Sequence, residues 1–261
     1  MLCLLRTGQR NQKATTQLQT TQATLYSKWS SKMSSQQIVA YIEEEQLKAQ
    51  KNNNYSFYLA KKVNNSFTVI WQSKGPVATV NNPSYQYKNT FDLTTPSFMV
   101  NYTNDPVTTG NVTFTSGGKN RPISTGQSTI LDTNGTFSPP KNDTKPSDIL
   151  IVNQLQANPH EILLDAKGQN IWVNRESGMN IGTATLTPKS EYQLWFGNLQ
   201  ETGSLIAQNL SYSTTVSVVD GQSVTITYTN AGVWVAGEPA DRLSDKDVAA
   251  LHARVGIKVA A

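Results

Sequence analysis

Cysteine occurs once in the 261 residues, at Cys3, and histidine twice, at His160 and His252. One cysteine makes an internal disulfide impossible. One cysteine and two distant histidines also fall short of the ligand count of a structural zinc site. No run of apolar residues approaches the about 18 needed for a membrane-crossing helix. The opening Met1-Leu2-Cys3-Leu4-Leu5 is cut off by Arg6, well short of the roughly 7–15 apolar residues of a secretory core, so no signal peptide is read. These absences lead to the expectation of a cytoplasmic protein in a reducing setting.

Charge is also scarce, at 15% of the chain against about 25% in an average globular protein. The net charge of +4 is unevenly placed. Residues 1–32 carry Arg6, Arg10, Lys13, Lys28 and Lys32 and no acid; the first acid is Glu43. The rest has no basic excess of the kind a nucleic-acid groove needs, so nucleic acid is expected as a partner only through the arm 1–32, if at all.

Catalytic signatures are missing too. There is no Gly-x-Ser-x-Gly elbow, no Gly-x-Gly-x-x-Gly and no Walker loop, so no nucleotide or other cofactor is expected. Asp132-Thr133-Asn134-Gly135 opens like a calcium loop, but Asp143 stands where the twelfth-position Glu belongs and two prolines intervene, so an ordinary turn is read. Glu161 and Asp165 share one side of a strand about 13 Å apart, too far for a glycosidase pair. They read as charges flanking an apolar strand. No catalytic or metal-binding residue is therefore assigned, and the chain is read as a non-enzyme.

What the chain has in abundance is Ser, Thr, Asn and Gln, 95 residues in all. Combined with Val, Ile, Tyr, Phe and Trp, that mix suits pleated surfaces with one apolar and one hydroxyl-rich face. Its seven Asn-x-Ser/Thr triplets follow from composition and do not argue for secretion.

Four segments are expected. Residues 1–33 form a Gln/Thr-rich basic arm without period, read as disordered; a leader ahead of Met33 is the alternative. Residues 34–52 are read as a helix, Ser34 to Gln50, capped by Ser34 with Gln37, presenting Ile38, Tyr41, Ile42 and Ala49, and ended by Asn52-Asn53-Asn54. Residues 53–235 switch to a period of two, with strands near 55–60, 67–72, 77–80, 85–93, 97–103, 111–115, 128–131, 149–154, 161–165, 170–173, 183–187, 192–196, 204–207, 212–218 and 222–229. Residues 236–261 form a tail, with Ser244 to Asp247 opening a helix to about Val255.

The fold class expected is all-β: an antiparallel β-sandwich, Ig-like or jelly-roll-like, with one helix at each end. Within it, 212–229 reads as a hairpin with Val216 opposite Val224 and Gly221 in the left-handed position. Ser97 to Asn104 resembles Ser223 to Asn230, and Tyr55 to Leu59 followed by Thr68 to Gln72 resembles Tyr192 to Phe196 followed by Ser204 to Gln208. A duplication with halves 53–134 and 147–235 is the alternative architecture.

One loop has the residue types of a sugar site. Trp172 leads into Asn174, Arg175 and Glu176: an aromatic ring for the apolar side of a sugar, with amide, guanidinium and carboxylate for its hydroxyls. The expected function is a non-catalytic, lectin-like β-sandwich that binds carbohydrate or a cell-surface ligand, with homo-oligomers allowed. A self-assembling capsid or shell protein with a basic arm is the first alternative. A pore-forming or membrane-binding toxin, with 212–218 as an inserting strand, is the second.

Overall fold

The computed structural model describes residues 36–80, 82–95, 97–107, 113–206, 210, 212–219 and 221–255. The arm 1–33 therefore lies outside the described residues, as does the end of the tail from 256 on.

In chain order the elements are β1 (Gln37–Ile42), α1 (Glu44–Asn52), β2 (Ser56–Val63), β3 (Gln72–Lys74), β4 (Lys88–Asp92), β5 (Phe98–Thr103), β6 (Arg121–Ile123) and β7 (Gln127–Leu131). They continue with β8 (Ile149–Asn153), β9 (His160–Asp165), β10 (Asn170–Val173), β11 (Gly182–Leu186), β12 (Pro188–Gly197), β13 (Thr214–Ser217), β14 (Ser223–Tyr228), β15 (Trp234–Ala236) and α2 (Asp245–Arg254). The fold is all-β. Four sheets run in the orders β15-β14-β1-β4, β13-β12-β2-β3, β10-β9-β5-β6 and β11-β8-β7.

The first two sheets meet across an aromatic layer. Phe57 of β2 packs on Phe91 of β4 with ring centres 5.2 Å apart, and on Phe196 of β12 at 4.7 Å. Phe196 in turn packs on Tyr228 of β14 at 5.4 Å. Period-two alternation supplies these rings: β4 reads exposed, buried, exposed, buried, exposed, with Phe91 inward. The pair β9–β10 is different, because it is buried on both faces. Leu163, Ile171 and Trp172 join the main core, while Ile162, Leu164 and Val173 pack in a second cluster with Val69 and Leu205.

Several expectations are corrected. The helix expected over Ser34–Gln50 begins only at Glu44; Gln37–Ile42 is a central strand, parallel to β14 and antiparallel to β4. Ile38, Tyr41 and Ile42 fit one helix face, but Ile-Val-Ala-Tyr-Ile is also a β-forming run. Two flanking strands hydrogen-bond its whole length, and that non-local pairing prevails. α1 still ends at the asparagines, with Asn54 at φ 56°, and Lys48 meets Glu44 at 2.9 Å.

The hairpin over 212–229 is likewise not formed. β13 pairs with β12, Val216 opposite Tyr192, whereas β14 pairs with β1 and β15. The turn survives, with Gly221 at φ +77° and Gln222 N–H donating to Val219 O at 3.0 Å, but it carries the chain from one sheet to another. Ten-residue β12 and central β1 offer each arm more pairing than the arms offer each other.

The sandwich is also not purely antiparallel, since β7–β8 is a second parallel pair. Of the expected strands 67–72, 77–80 and 204–207, only Gln72, the first residue of β3, lies in a strand; Val69 and Leu205 form an isolated bridge, and residue 207 lies outside the described residues. In 111–115, the described residues 113–115 are not strand. Strands β6 and β15 were not anticipated.

Every sheet draws strands from both sequence halves. The resembling segments Tyr55–Leu59 and Tyr192–Phe196 lie in β2 and β12, which are direct neighbours, Tyr58 opposite Trp195. The stretch 134–146 therefore separates no two sheets. The tail helix forms as read: Ser244 Oγ accepts the Asp247 N–H at 3.3 Å, Leu251 and His252 are buried, and Arg254 reaches Glu44 of α1 at 2.7 Å.

Candidate functional site

The loop after Trp172 does not gather into a sugar platform. Trp172 is 3% exposed, with its ring in the main core and its indole N–H donating to Ser66 Oγ at 2.9 Å. It offers no face for stacking. Asn174 is turned to its own loop: its Nδ2 donates to Glu161 Oε1 at 3.0 Å and to Ser177 O at 2.9 Å, and its Oδ1 accepts the Glu176 N–H. Arg175 donates to Ile206 O at 2.9 Å. Only Glu176 is exposed. Three of the four residues thus hold the loop in place.

Beneath that loop lies a buried acid, Glu161, one of the two charges that flank the apolar strand β9. Glu161 is 4% exposed and its Oε2 has no hydrogen-bond partner among the described residues. Burial pushes its carboxyl above the usual carboxylate range, against the Asn174 bond that favours the charged form. His160 Nδ1 contacts Asn174 O at 2.9 Å.

The far end of the same strand opens on a cleft of about 540 Å³. Three separated segments supply most of it: edge strand β3 with Trp71 before it, the end of edge strand β4 with Thr94 beyond it, and the β9–β10 turn. Pro83 and exposed Thr202 also line it. Strand edges leave backbone and side chains open to one side, so two sheet edges that converge frame a groove.

The turn is tightly specified. Asp165 Oδ1 accepts the N–H groups of Lys167 and Gln169, each at 2.9 Å, and Gly168 takes φ +84°. A side chain at that φ is strained, which is why Asp-x-x-Gly closes a three-residue hairpin loop here. Asp165 Oδ2 accepts the Trp71 indole N–H at 3.0 Å, tying the turn to β3. Trp71 stacks on Tyr192, ring centres 6.2 Å apart. Gln72 Nε2 donates to Asp92 O at 2.6 Å and bridges β3 to β4, and Ser73 Oγ meets Thr202 Oγ1 at 2.7 Å.

The lining combines the buried rings of Trp71 and Phe91 with polar groups that keep bonding capacity among the described residues. Lys74 Nζ sits 5.3 Å from the centre of the Phe91 ring and makes no ion pair among the described residues. Burial lowers its pKa. Exposed Asp92 uses Oδ1 on the Thr94 N–H at 2.9 Å, and its Oδ2 accepts from no group among the described residues. The side chains of Thr94, Lys167 and Gln169 complete the set. Both histidines are engaged elsewhere, His252 accepting the Tyr87 N–H at 3.4 Å. Among the described residues no three His, Cys, Asp or Glu are grouped to hold a metal ion, and Asp132 closes an Asx turn on the N–H groups of Asn134 and Thr136.

None of the cleft residues was singled out from the sequence as a ligand contact. The one local signal is the Asp165-Ala-Lys-Gly168 turn, which marks a well-ordered hairpin tip. Trp71, Asp92 and Asp165 lie far apart along the chain, and only the fold joins them.

No family model, curated protein or solved structure matches the chain. Among the described residues no helix is long and apolar enough to cross a membrane.

Proposed function

We propose that the protein is a non-catalytic carbohydrate-binding β-sandwich and that the sugar occupies the cleft between β3, β4 and the β9–β10 turn. One observation carries the reading: the cleft lining brings together the carboxylate of Asp92, the amide of Gln169, the hydroxyl of Thr94 and the ammonium groups of Lys74 and Lys167, beside the buried rings of Trp71 and Phe91. Sugars present a rim of hydroxyls that both donate and accept, and a polar lining of this kind meets them. The volume fits one or two sugar rings by the general size of small-molecule sites, about 300–1,000 Å³. The site sits on strand edges and a bonded turn, so little ordering cost is added on binding.

A glycan array probed with the full chain tests the reading. Binding to a defined set of glycans is expected, and no binding above background would overturn it. Thr202→Trp supplies the control: Thr202 is an exposed rim residue, so the larger ring obstructs the cleft without entering the core. A full chain that assembles into megadalton particles in size-exclusion chromatography would favour the shell reading instead.

A further inference from the structure

Four ionisable side chains line the cleft: Lys74, Asp92, Asp165 and Lys167. Their commitments differ. Asp165 is occupied by three N–H donors: one indole and two backbone amides. Asp92 accepts one backbone N–H and, among the described residues, keeps one oxygen free. Neither acid comes within ion-pair distance of an ammonium in the cleft, and Lys74 and Lys167 donate to no group among the described residues.

Lys74 is the more telling of the two. It is half-buried on a three-residue edge strand, over the Phe91 ring. Stripping water from an ammonium costs free energy that a ring face only partly returns. Other half-buried lysines in this chain are placed differently: Lys62 holds Glu191 at 2.7 Å, and Lys51 donates to Ser84 Oγ. Lys74 lines the open groove and has no ion-pair partner among the described residues.

The nearby acids limit what that anion can be. A phosphate dianion would meet Asp92 and Asp165 with full repulsion. A single carboxylate flanked by hydroxyls suits the site: the carboxylate meets ammonium, and the hydroxyls donate to Asp92 Oδ2 and to Gln169. We infer that the cleft selects acidic sugars, a uronate or a sialoside, with the sugar carboxylate on Lys74 and its hydroxyls on Asp92 and Gln169. This rests on the cleft being the sugar site.

Titration calorimetry on the full chain with matched ligands tests it: oligogalacturonate against the neutral galactose oligomer, a glucuronoside against the glucoside, and a sialoside beside them. An acidic ligand is expected to bind at least about tenfold more tightly than its neutral partner, and the advantage is expected to shrink as salt is raised. Uronates and the sialoside separate the two sources of the carboxylate. Lys74→Gln is expected to erase the advantage by weakening the acidic ligand more than its neutral partner, while Lys74→Arg retains it. Equal binding of acidic and neutral partners by the wild type, or an advantage untouched by Lys74→Gln, overturns the inference and leaves the sugar site standing. Binding of neither kind overturns both. If Lys74→Gln does not fold, the salt dependence of the wild type decides alone.

Discussion

Replacing Glu161 by Gln removes a buried negative charge and keeps the side chain's shape. Glu161 Oε1 accepts from Asn174, and Gln keeps an oxygen for that bond; Oε2 has no partner to lose. A buried polar group left without a partner costs about 1–3 kcal/mol, more when charged. Gln leaves its own N–H₂ unpartnered, so the expected gain is the lower part of that range, about 1 kcal/mol. For a chain of this size that corresponds to a rise in Tm of about 2–4 °C.

The sign depends on pH. The folded-state pKa lies above the ordinary glutamate value of 4.5 because burial disfavours the charge. The folded chain therefore holds a proton that the unfolded chain has already released, and stability falls as pH rises through that interval. Below it both states are protonated and the penalty vanishes. Thermal unfolding followed by circular dichroism, at about pH 4 and about pH 7.5, isolates the effect as a difference between variant and wild type. The variant is expected to be more stable at the higher pH, with the gap closing at the lower. A gap that is independent of pH, or a variant less stable at neutral pH, would refute the reasoning.

Two further outcomes follow from the same geometry. Gly178→Ala is expected to be strongly destabilising, because the added Cβ would lie 1.8 Å from Asn158 O, a backbone atom that cannot swing aside; a loss above about 2 kcal/mol in urea unfolding is expected, and an unchanged midpoint would contradict the packing. Lys51 shows the opposite pH sign to Glu161: burial brings it down to about 8 from 10.5, so the folded state is penalised below that value and recovers as pH rises toward the unfolded one. The stability of the wild type relative to Lys51→Gln is expected to increase between about pH 8 and pH 10, and a flat difference would show that the ammonium is better solvated than its packing implies.

Much of the strand content is legible from alternation and turn residues. β5, β7, β8, β9 and β10 fall where runs of β-formers are bounded by Gly, Asn and Pro, and Ser244 announces α2 through its cap. β1 is misread because Ile38, Tyr41 and Ile42 satisfy a helical stripe and a buried strand equally well, and only its neighbours β14 and β4 decide between them. The 212–229 hairpin is misread for the same reason: the Asp-Gly turn is local, whereas the partners β12 and β1 are not.

The site is the least legible part. Trp172 beside Asn174, Arg175 and Glu176 looks like a platform because a polar loop follows an aromatic strand end. That strand is buried on both faces, so the ring belongs to the core and the polar groups lock the loop. The cleft residues come from three segments whose only common feature is their convergence at two sheet edges and one hairpin tip. Glu161 and Asp165 do share one side of β9, as their spacing requires. Their burial depends on β5, β10 and Trp71, which the spacing does not show.

Titration calorimetry with a glycan bound by the wild type tests most directly where the site lies, using Thr202→Trp and the pair Arg175→Ala with Glu176→Ala. The cleft account predicts that Thr202→Trp weakens binding by at least about tenfold and that the loop variants bind as the wild type does. Retained affinity in Thr202→Trp together with loss in the loop variants would contradict it.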